Sequence, residues 1–426
     1  MLTEFRRMKG AGWAIAVVFS IILLATVVCA NTTVTLWYWN WAGMDRAMKR
    51  IVPMFEAQNP GITVETAGWG SPDQLIVRTL SGTPPDVVVT QEGHLGQFVS
   101  EGIILPLNSL IDATPEVKDG LVPQAWRGIA MNEQYWFIPG IEWGPRDGFA
   151  WNKTFFDEAG LPGFDPDKAP SWDLVAEYNA KLAQRNVEGE VTRVGYHPAE
   201  GRNGDIYVWE FALGACWWDA AEERIRLNTA AFTDALQYLF DRFIAPYSTE
   251  FIGLRSWYVI AQGRTAMANL GYYAPGQLRS RASQWDFRYT WHPTMSGQRA
   301  TALSGWGYAI PAGAQKDEAW KLITFLVDNL EAQQIIYEET GYFPASTKFF
   351  SEFRSADPGM NWFANAVNDT EWAVPEDNRP SWGVGIVHNA LGDVMSQVYG
   401  GKAPAKTALD SIQSQVDAQA AQYAQK

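Results

Sequence analysis

Three tryptophans, Trp37, Trp39 and Trp41, stand at every second position of TLWYWNWAG, residues 35–43. On an extended strand this spacing puts all three on one face. Rings of this size either pack a core or offer a flat surface on which a flat ligand can stack. The chain has 21 Trp, 16 Tyr and 21 Phe, too many for packing to be the role of all. Residue types that do covalent or metal chemistry are sparse. The four histidines, His94, His197, His292 and His388, show no HExxH or paired spacing, so no metal site is expected. There is no Gly-x-Ser-x-Gly elbow, glycine-rich phosphate loop or Cys-x-x-Cys. SGTPPD, residues 81–86, reads as a turn, and no cofactor is expected.

The elements that must position these aromatics alternate. VTLWYW predicts a strand. Met44, Met48, Ile51, Val52 and Phe55 then recur at helical spacing up to NPG at 59–61, with Pro53 expected to kink or shorten that helix. ITVETAGW predicts a second strand, and Ser71, Pro72 and Asp73 start a second helix. PPDVVVT is a short apolar strand of the kind buried on both faces, and LGQFVSEG continues as helix. The β-α-β-α-β order implies a parallel sheet with right-handed crossovers. Past residue 150 the predicted helices lengthen: SWDLVAEYNAKLAQR, AAFTDALQYLFDRFI, DEAWKLITFLVDNLEAQQIIYEE and ALDSIQSQVDAQAAQYAQ. Short strands at 194–197, 265–270 and 305–311 lie between them. A chain of 426 residues exceeds one compact core, so the fold class is α/β with two domains and several chain crossings.

Residues 1–30 read as an export signal. Arg6, Arg7 and Lys9 precede the apolar run AGWAIAVVFSIILLATVV, and Val28 and Ala30 fit a small-x-small cleavage site. A lipidated Cys29, which Val28 fits poorly, and an uncleaved membrane anchor are the alternatives. The net charge is −14, and loss of the leader, with three basic residues and one acidic, makes it more negative. So acidic a chain argues against nucleic acid and anionic membranes as partners. Without Cys29, Cys216 is alone. It is expected as a buried small hydrophobe, with no internal disulfide.

Blocks along nearly all of the chain after the leader resemble the extracellular (family 1) solute-binding proteins of sugar ABC transporters, the family that includes maltose-binding protein. They are VTLWYWNW, FEAQNPGITVE, LSGTPPDVVV, FVSEGIILPL, WNKTFFDEAGLP, PSWDLVAEYNAKL, AQGRTAMANLGYYA, LSGWGYAIPAGAQKDEAWKLITFL and TGYFPAST. The resemblance implies a non-catalytic receptor of two α/β lobes in the periplasmic-binding-protein fold. The implied crossings lie near 140–150, 305–311 and 345. One lobe would comprise 31–145 with about 309–345, the other 146–308 with 346–426. It further implies a monomer in the periplasm or another extracytoplasmic space that carries a mono- or oligosaccharide to membrane permease subunits.

A sugar has an apolar flat face and a rim of hydroxyls, so its site should combine Trp or Tyr with carboxylates, Asn or Arg at strand ends. The strand-end aromatics Trp39 and Trp41 then face the cleft, with Trp37 beneath the sheet. Aligned on the family blocks, the other candidates are Trp69, expected exposed in a loop, Glu92, Glu142, Trp143, Asp147, Asp205, Tyr273, Trp306, Arg379 and Trp382. For Glu92 a solvated loop charge, for Asp205 a helix cap and for Arg379 a plain salt bridge are the structural alternatives. Trp217 and Trp218 read as packing at a helix end. Two other functions stay open. Glu142 with Asp147, or Asp205 with Glu210, could serve a secreted glycoside hydrolase. Arg146, Arg202 and Arg379 could receive a sugar phosphate, and a polyol is a further possible solute.

Overall fold

The computed structural model describes residues 31–126, 129–131, 133–145, 147–198, 213–247, 256–301, 303–369 and 381–422. The strands, in order, are β1 (Thr32–Trp39), β2 (Ile62–Trp69), β3 (Val87–Gln91), β4 (Ala130–Met131), β5 (Gln134–Tyr135), β6 (Ile138–Pro145) and β7 (Asp147–Asn152). After them come β8 (Gln184–Arg185), β9 (Val191–His197), β10 (Trp218–Asp219), β11 (Arg224–Ile225), β12 (Thr265–Gly271), β13 (Phe287–Thr290) and β14 (Leu303–Ala309). Two five-stranded sheets result, one ordered β2-β1-β3-β14-β6 and the other β13-β7-β12-β9-β8. The chain passes between them at the short step from β6 to β7 and returns between β13 and β14.

β1 pairs in parallel with β2 and β3, as the alternation of elements predicts, while β14 runs antiparallel to β3 and β6. β14 therefore belongs to the first sheet along its whole length, and the return crossing precedes residue 303 instead of lying at 305–311. Two glycines let it fit. A Cβ on Gly305 would lie 2.5 Å from the Trp143 ring, and one on Gly307 1.9 Å from Phe137. At the other end of the sheet the buried Asp86 closes the TPPD turn. Its carboxylate accepts from the Thr35 amide at 2.8 Å, the Thr35 hydroxyl at 2.9 Å and the Gln315 amide at 2.9 Å. A buried carboxylate is stable there because each oxygen is hydrogen-bonded.

The first helix, Ala42–Gln58, runs through Pro53 without shortening. The second starts at Pro72 behind Ser71, as predicted. The long helix expected over 317–339 is instead two, Lys316–Asp328 and Leu330–Thr340. Asn329 ends the first in an extended conformation, and its side chain accepts from the Ala332 amide at 2.9 Å. The residue thus stops one helix and caps the next.

One buried cluster covers the first sheet and continues through Tyr272, Tyr289 and Trp362 onto one face of the second sheet. A second cluster covers the other face with the C-terminal helices Ser381–Val398 and Ala405–Ala420. Helix Pro358–Asn368 packs on both β6 and β13 and so straddles the sheets. Two expectations fail locally. Cys216 is exposed, its thiol donating to the Trp218 carbonyl at 3.4 Å, because the ribbon β10–β11 lies at the surface. Trp217 is buried as expected and packs at a helix end, where a Cβ on Gly383 in the first turn of helix Ser381–Val398 would lie 2.8 Å from its ring, but Trp218 begins the ribbon instead. Among the described residues no helix is long and apolar enough to cross a membrane. The leader lies outside them.

Candidate functional site

The carboxyl ends of β1, β2, β3 and β6 share one edge with the start of the antiparallel β14. Ligands of open α/β sheets bind at such edges. There Trp39 pairs with Trp69, and Trp306 lies opposite Gln91 on one side and Ile141 on the other. Sequence positions more than 260 residues apart are thereby set side by side.

The rings form a continuous surface. The Trp39 centroid is 5.4 Å from Trp69 and 5.9 Å from Trp306. Trp41 lies 4.9 Å from Trp306 and 5.1 Å from Tyr342, and Tyr342 lies 5.7 Å from Tyr272. Most of these pairs meet edge-on or tilted, which suits the ring quadrupoles and leaves faces at different angles. Trp39 and Trp41 are half-buried, and Trp306 is 5% exposed.

Two carboxylates fix the Trp306 strand. Glu142 accepts from the Trp306 indole N–H at 2.6 Å, and Glu92 accepts from the Gly305 amide at 3.1 Å. From below, the Trp143 indole donates to the Trp306 carbonyl at 2.9 Å. Glu142 has a φ of 68°, in the left-handed region that non-glycine residues rarely occupy. Its amide donates to the Phe343 carbonyl at 2.6 Å, holding it there. Strain of this kind collects at functional sites. Burial, and then the negative charge of Glu142, push the Tyr342 phenol well above its ordinary pKa, so it stays protonated as a donor. Burial alone pushes His94 down to about 4. It sits 6.1 Å from Trp69 and 5.7 Å from Phe98, with its Nδ1 3.1 Å from the Thr90 hydroxyl.

Trp39, Trp41, Trp69, Glu92, Glu142, Trp143 and Trp306 are thus brought together. Trp69 is not exposed as expected but 1% exposed, since it is the last residue of β2 under Trp39 and His94. Its indole N–H finds no acceptor among the described residues. Trp143 is also 1% exposed and underlies the surface. Trp37, expected beneath the sheet, is half-buried on the same face as Trp39, with the Arg78 guanidinium 5.7 Å above it. The residues that point into the core are Leu36 and Tyr38.

Asp147 lies apart from this group, on the second sheet. It is 3% exposed at the start of β7, opposite Gly271. Tyr273 is half-buried beside Tyr272, and it is Tyr272 whose ring reaches Tyr342. Sequence reasoning missed Tyr272 and Tyr342, although GYYA and TGYFPAST contain them. Nothing in a lone sequence says which of two adjacent tyrosines turns inward. Trp382 lies in the first turn of helix Ser381–Val398, which packs against the Glu92–His94 turn. Asp205 and Arg379 lie outside the described residues, as do Arg146, Arg202 and Glu210. Among the described residues no group of His, Cys, Asp and Glu could hold a metal ion.

The family model of the bacterial extracellular solute-binding protein matches residues 38–332. The chain belongs to that family. No curated protein sequence matches it. Similar solved structures include an ABC substrate-binding protein from Listeria monocytogenes in complex with cycloalternan, 18% identical. The match covers 91% of this chain and 98% of that one at a TM-score of 0.72. The maltose/maltodextrin-binding domain MalE from Bdellovibrio bacteriovorus, bound to maltotriose, is 20% identical, with coverage of 93% and 100% and a TM-score of 0.68. MalE of Xanthomonas citri is 19% identical, with coverage of 92% and 98% and a TM-score of 0.73. At these identities the likeness establishes the two-lobed periplasmic-binding-protein fold.

Proposed function

We propose that this solute-binding protein is the exported receptor of an ABC importer, and that it takes a mono- or oligosaccharide between its lobes and hands it to a permease. The observation that carries the reading is the contiguous surface of Trp39, Trp41 and Trp306 at a shared strand edge, flanked by Glu92 and Glu142. Indole faces suit the C–H face of a pyranose, and ionised carboxylates are strong acceptors for its hydroxyls. Similar structures carry cycloalternan and maltotriose. The lobes we assign are 31–145 with the β14-to-345 region and the remainder from 146 to the C-terminus.

The site acts by binding, not catalysis. Glu92 and Glu142 are hydrogen-bonded to β14 and so serve as fixed acceptors. Asp147, the carboxylate considered beside Glu142 for a hydrolase, is buried. The protein works as a monomer outside the cytoplasm. Titrating the chain without residues 1–30 against a panel of sugars should give saturable quenching of tryptophan fluorescence and no shortened products on long incubation. Silence toward every sugar and polyol, or the appearance of hydrolysis products, overturns the reading.

A further inference from the structure

Tyr342 joins the indole surface to the second sheet. Its ring lies 5.1 Å from Trp41, tilted by 38°, and 5.7 Å from Tyr272, which follows β12. The residue is half-buried. Its hydroxyl keeps accessible surface and has no hydrogen-bond partner among the described residues, whereas the Tyr272 hydroxyl is buried. The negative charge of Glu142 acts on this phenol, and Glu142 is itself bonded to the Trp306 indole at 2.6 Å. Such an action fades with distance, so the hydroxyl lies on the side of the Glu142–Trp306 pair.

The backbone on either side of Tyr342 is fixed. Helix Leu330–Thr340 ends on Gly341, whose φ of 77° is in the left-handed region open to glycine, and the Gly341 amide donates to the Tyr337 carbonyl at 2.8 Å. The Thr340 hydroxyl accepts from the Tyr342 amide at 3.1 Å, and the Phe343 carbonyl accepts from the Glu142 amide at 2.6 Å. Trp41 is held against Tyr342 from a second helix. It is the N-cap of Ala42–Gln58, and that helix presses on the end of Leu330–Thr340. A Cβ on Gly43 would lie 2.6 Å from the Glu339 carbonyl oxygen, which also accepts from Arg46 at 3.0 Å. A group ordered in this way before ligand arrives loses little entropy on binding it.

An ionised carboxylate can only accept, whereas each sugar hydroxyl both donates and accepts. Beside the acceptors Glu92 and Glu142 the site therefore needs donors. Burial, and then the charge of Glu142, keep the Tyr342 phenol protonated. An accessible, protonated hydroxyl on a fixed backbone beside those acceptors supplies one.

On the reading of the chain as a sugar receptor, on which this inference rests, we propose that Tyr342 is a further ligand-contacting residue of the site, its phenol donating to an oxygen of the bound sugar. The test compares the chain without residues 1–30, carrying tyrosine labelled with ¹³C at Cζ, with its Tyr342→Phe variant. Glucose, mannobiose and maltotriose are titrated into each. The Tyr342 signal, identified by its loss in the variant, should move with at least one sugar and saturate where tryptophan fluorescence is quenched. Calorimetry with that sugar should give an affinity about fivefold lower in Tyr342→Phe, the worth of one neutral hydrogen bond. The melting temperature without sugar should be the same in both, because the hydroxyl bonds to no described residue. A merely structural role gives the reverse, a lowered melting temperature at unchanged affinity. A sugar that quenches the parent but leaves the Tyr342 signal still, or that binds Tyr342→Phe as tightly, overturns the proposal and leaves the receptor reading standing. A parent silent toward these three and the wider panel sinks both.

Discussion

Trp306 shows how a single ring is aimed. The glycines on each side admit the Trp143 and Phe137 rings against its strand, Glu142 holds its N–H at 2.6 Å, and Trp143 holds its carbonyl at 2.9 Å. Trp306→Phe keeps a flat face but loses the bond to a charged acceptor, so sugar affinity should fall about tenfold. Trp306→Ala removes the stacking face as well and should cost about a further tenfold. Calorimetric titration of both variants separates the two contributions: an unchanged affinity in Trp306→Phe would show that the indole N–H plays no part, and equal losses that the stacking face plays none. His94 makes a pH prediction. Burial lowers its folded pKa to about 4 from 6.5, so the unfolded chain binds the extra proton first as pH falls. The stability it supports is complete above pH 6.5 and is lost as pH falls toward 4, by up to about 3 kcal/mol. His292, buried and likewise lowered to about 4, acts in the same window and direction. Thermal melts across that range should therefore show a shallower acid loss for His94→Gln than for the parent.

At the scale of elements, what the sequence revealed and what it hid have physical causes. Hydrophobic period and turn chemistry made the first three strands and their parallel order legible, because local pattern alone sets them. The break at Asn329 was hidden because the apolar spacing of 317–339 continues across it, while the cap is a single side chain. Asn329→Ala should cost about 1 kcal/mol, the worth of such a cap, read as a lowered denaturant midpoint at unchanged slope. The burial of Trp69 and Asp147 was hidden too, since it depends on strands far away in the chain. The carboxylate–indole pair of Glu142 and Trp306 was legible as two candidates but not as a contact. Only the antiparallel insertion of β14 brings them together. Gly305→Ala tests that insertion: its methyl would meet the Trp143 ring, and overpacking of this kind costs about 1–3 kcal/mol. The loss should appear in the melting temperature of the unliganded protein.

For the whole molecule, the proposed binding of a sugar between two lobes implies hinge closure when ligand touches both. Small-angle scattering should show a smaller radius of gyration with saturating sugar than without, and a smaller change in Trp306→Ala at the same sugar concentration. Ligand bound only to the folded state also raises stability, by about 2.7 kcal/mol at a hundredfold excess over Kd, so the melting temperature should climb with sugar concentration. The architecture was legible through the family blocks spread along the chain. Which face each aromatic presents was not, because that is decided when the sheets close.

The interleaving of the two sheets also governs the order in which the protein can come into being. The first sheet has β1 to β3 near its beginning but must await Leu303–Ala309 to fill the gap before β6. A nascent chain cut off at residue 300 therefore lacks the strand that joins its two halves of that sheet, and its tryptophan edge cannot assemble. Such long-range pairing is slow to form, so the first sheet stays incomplete until β14 has been synthesised, whereas every strand of the second sheet lies before it in the chain.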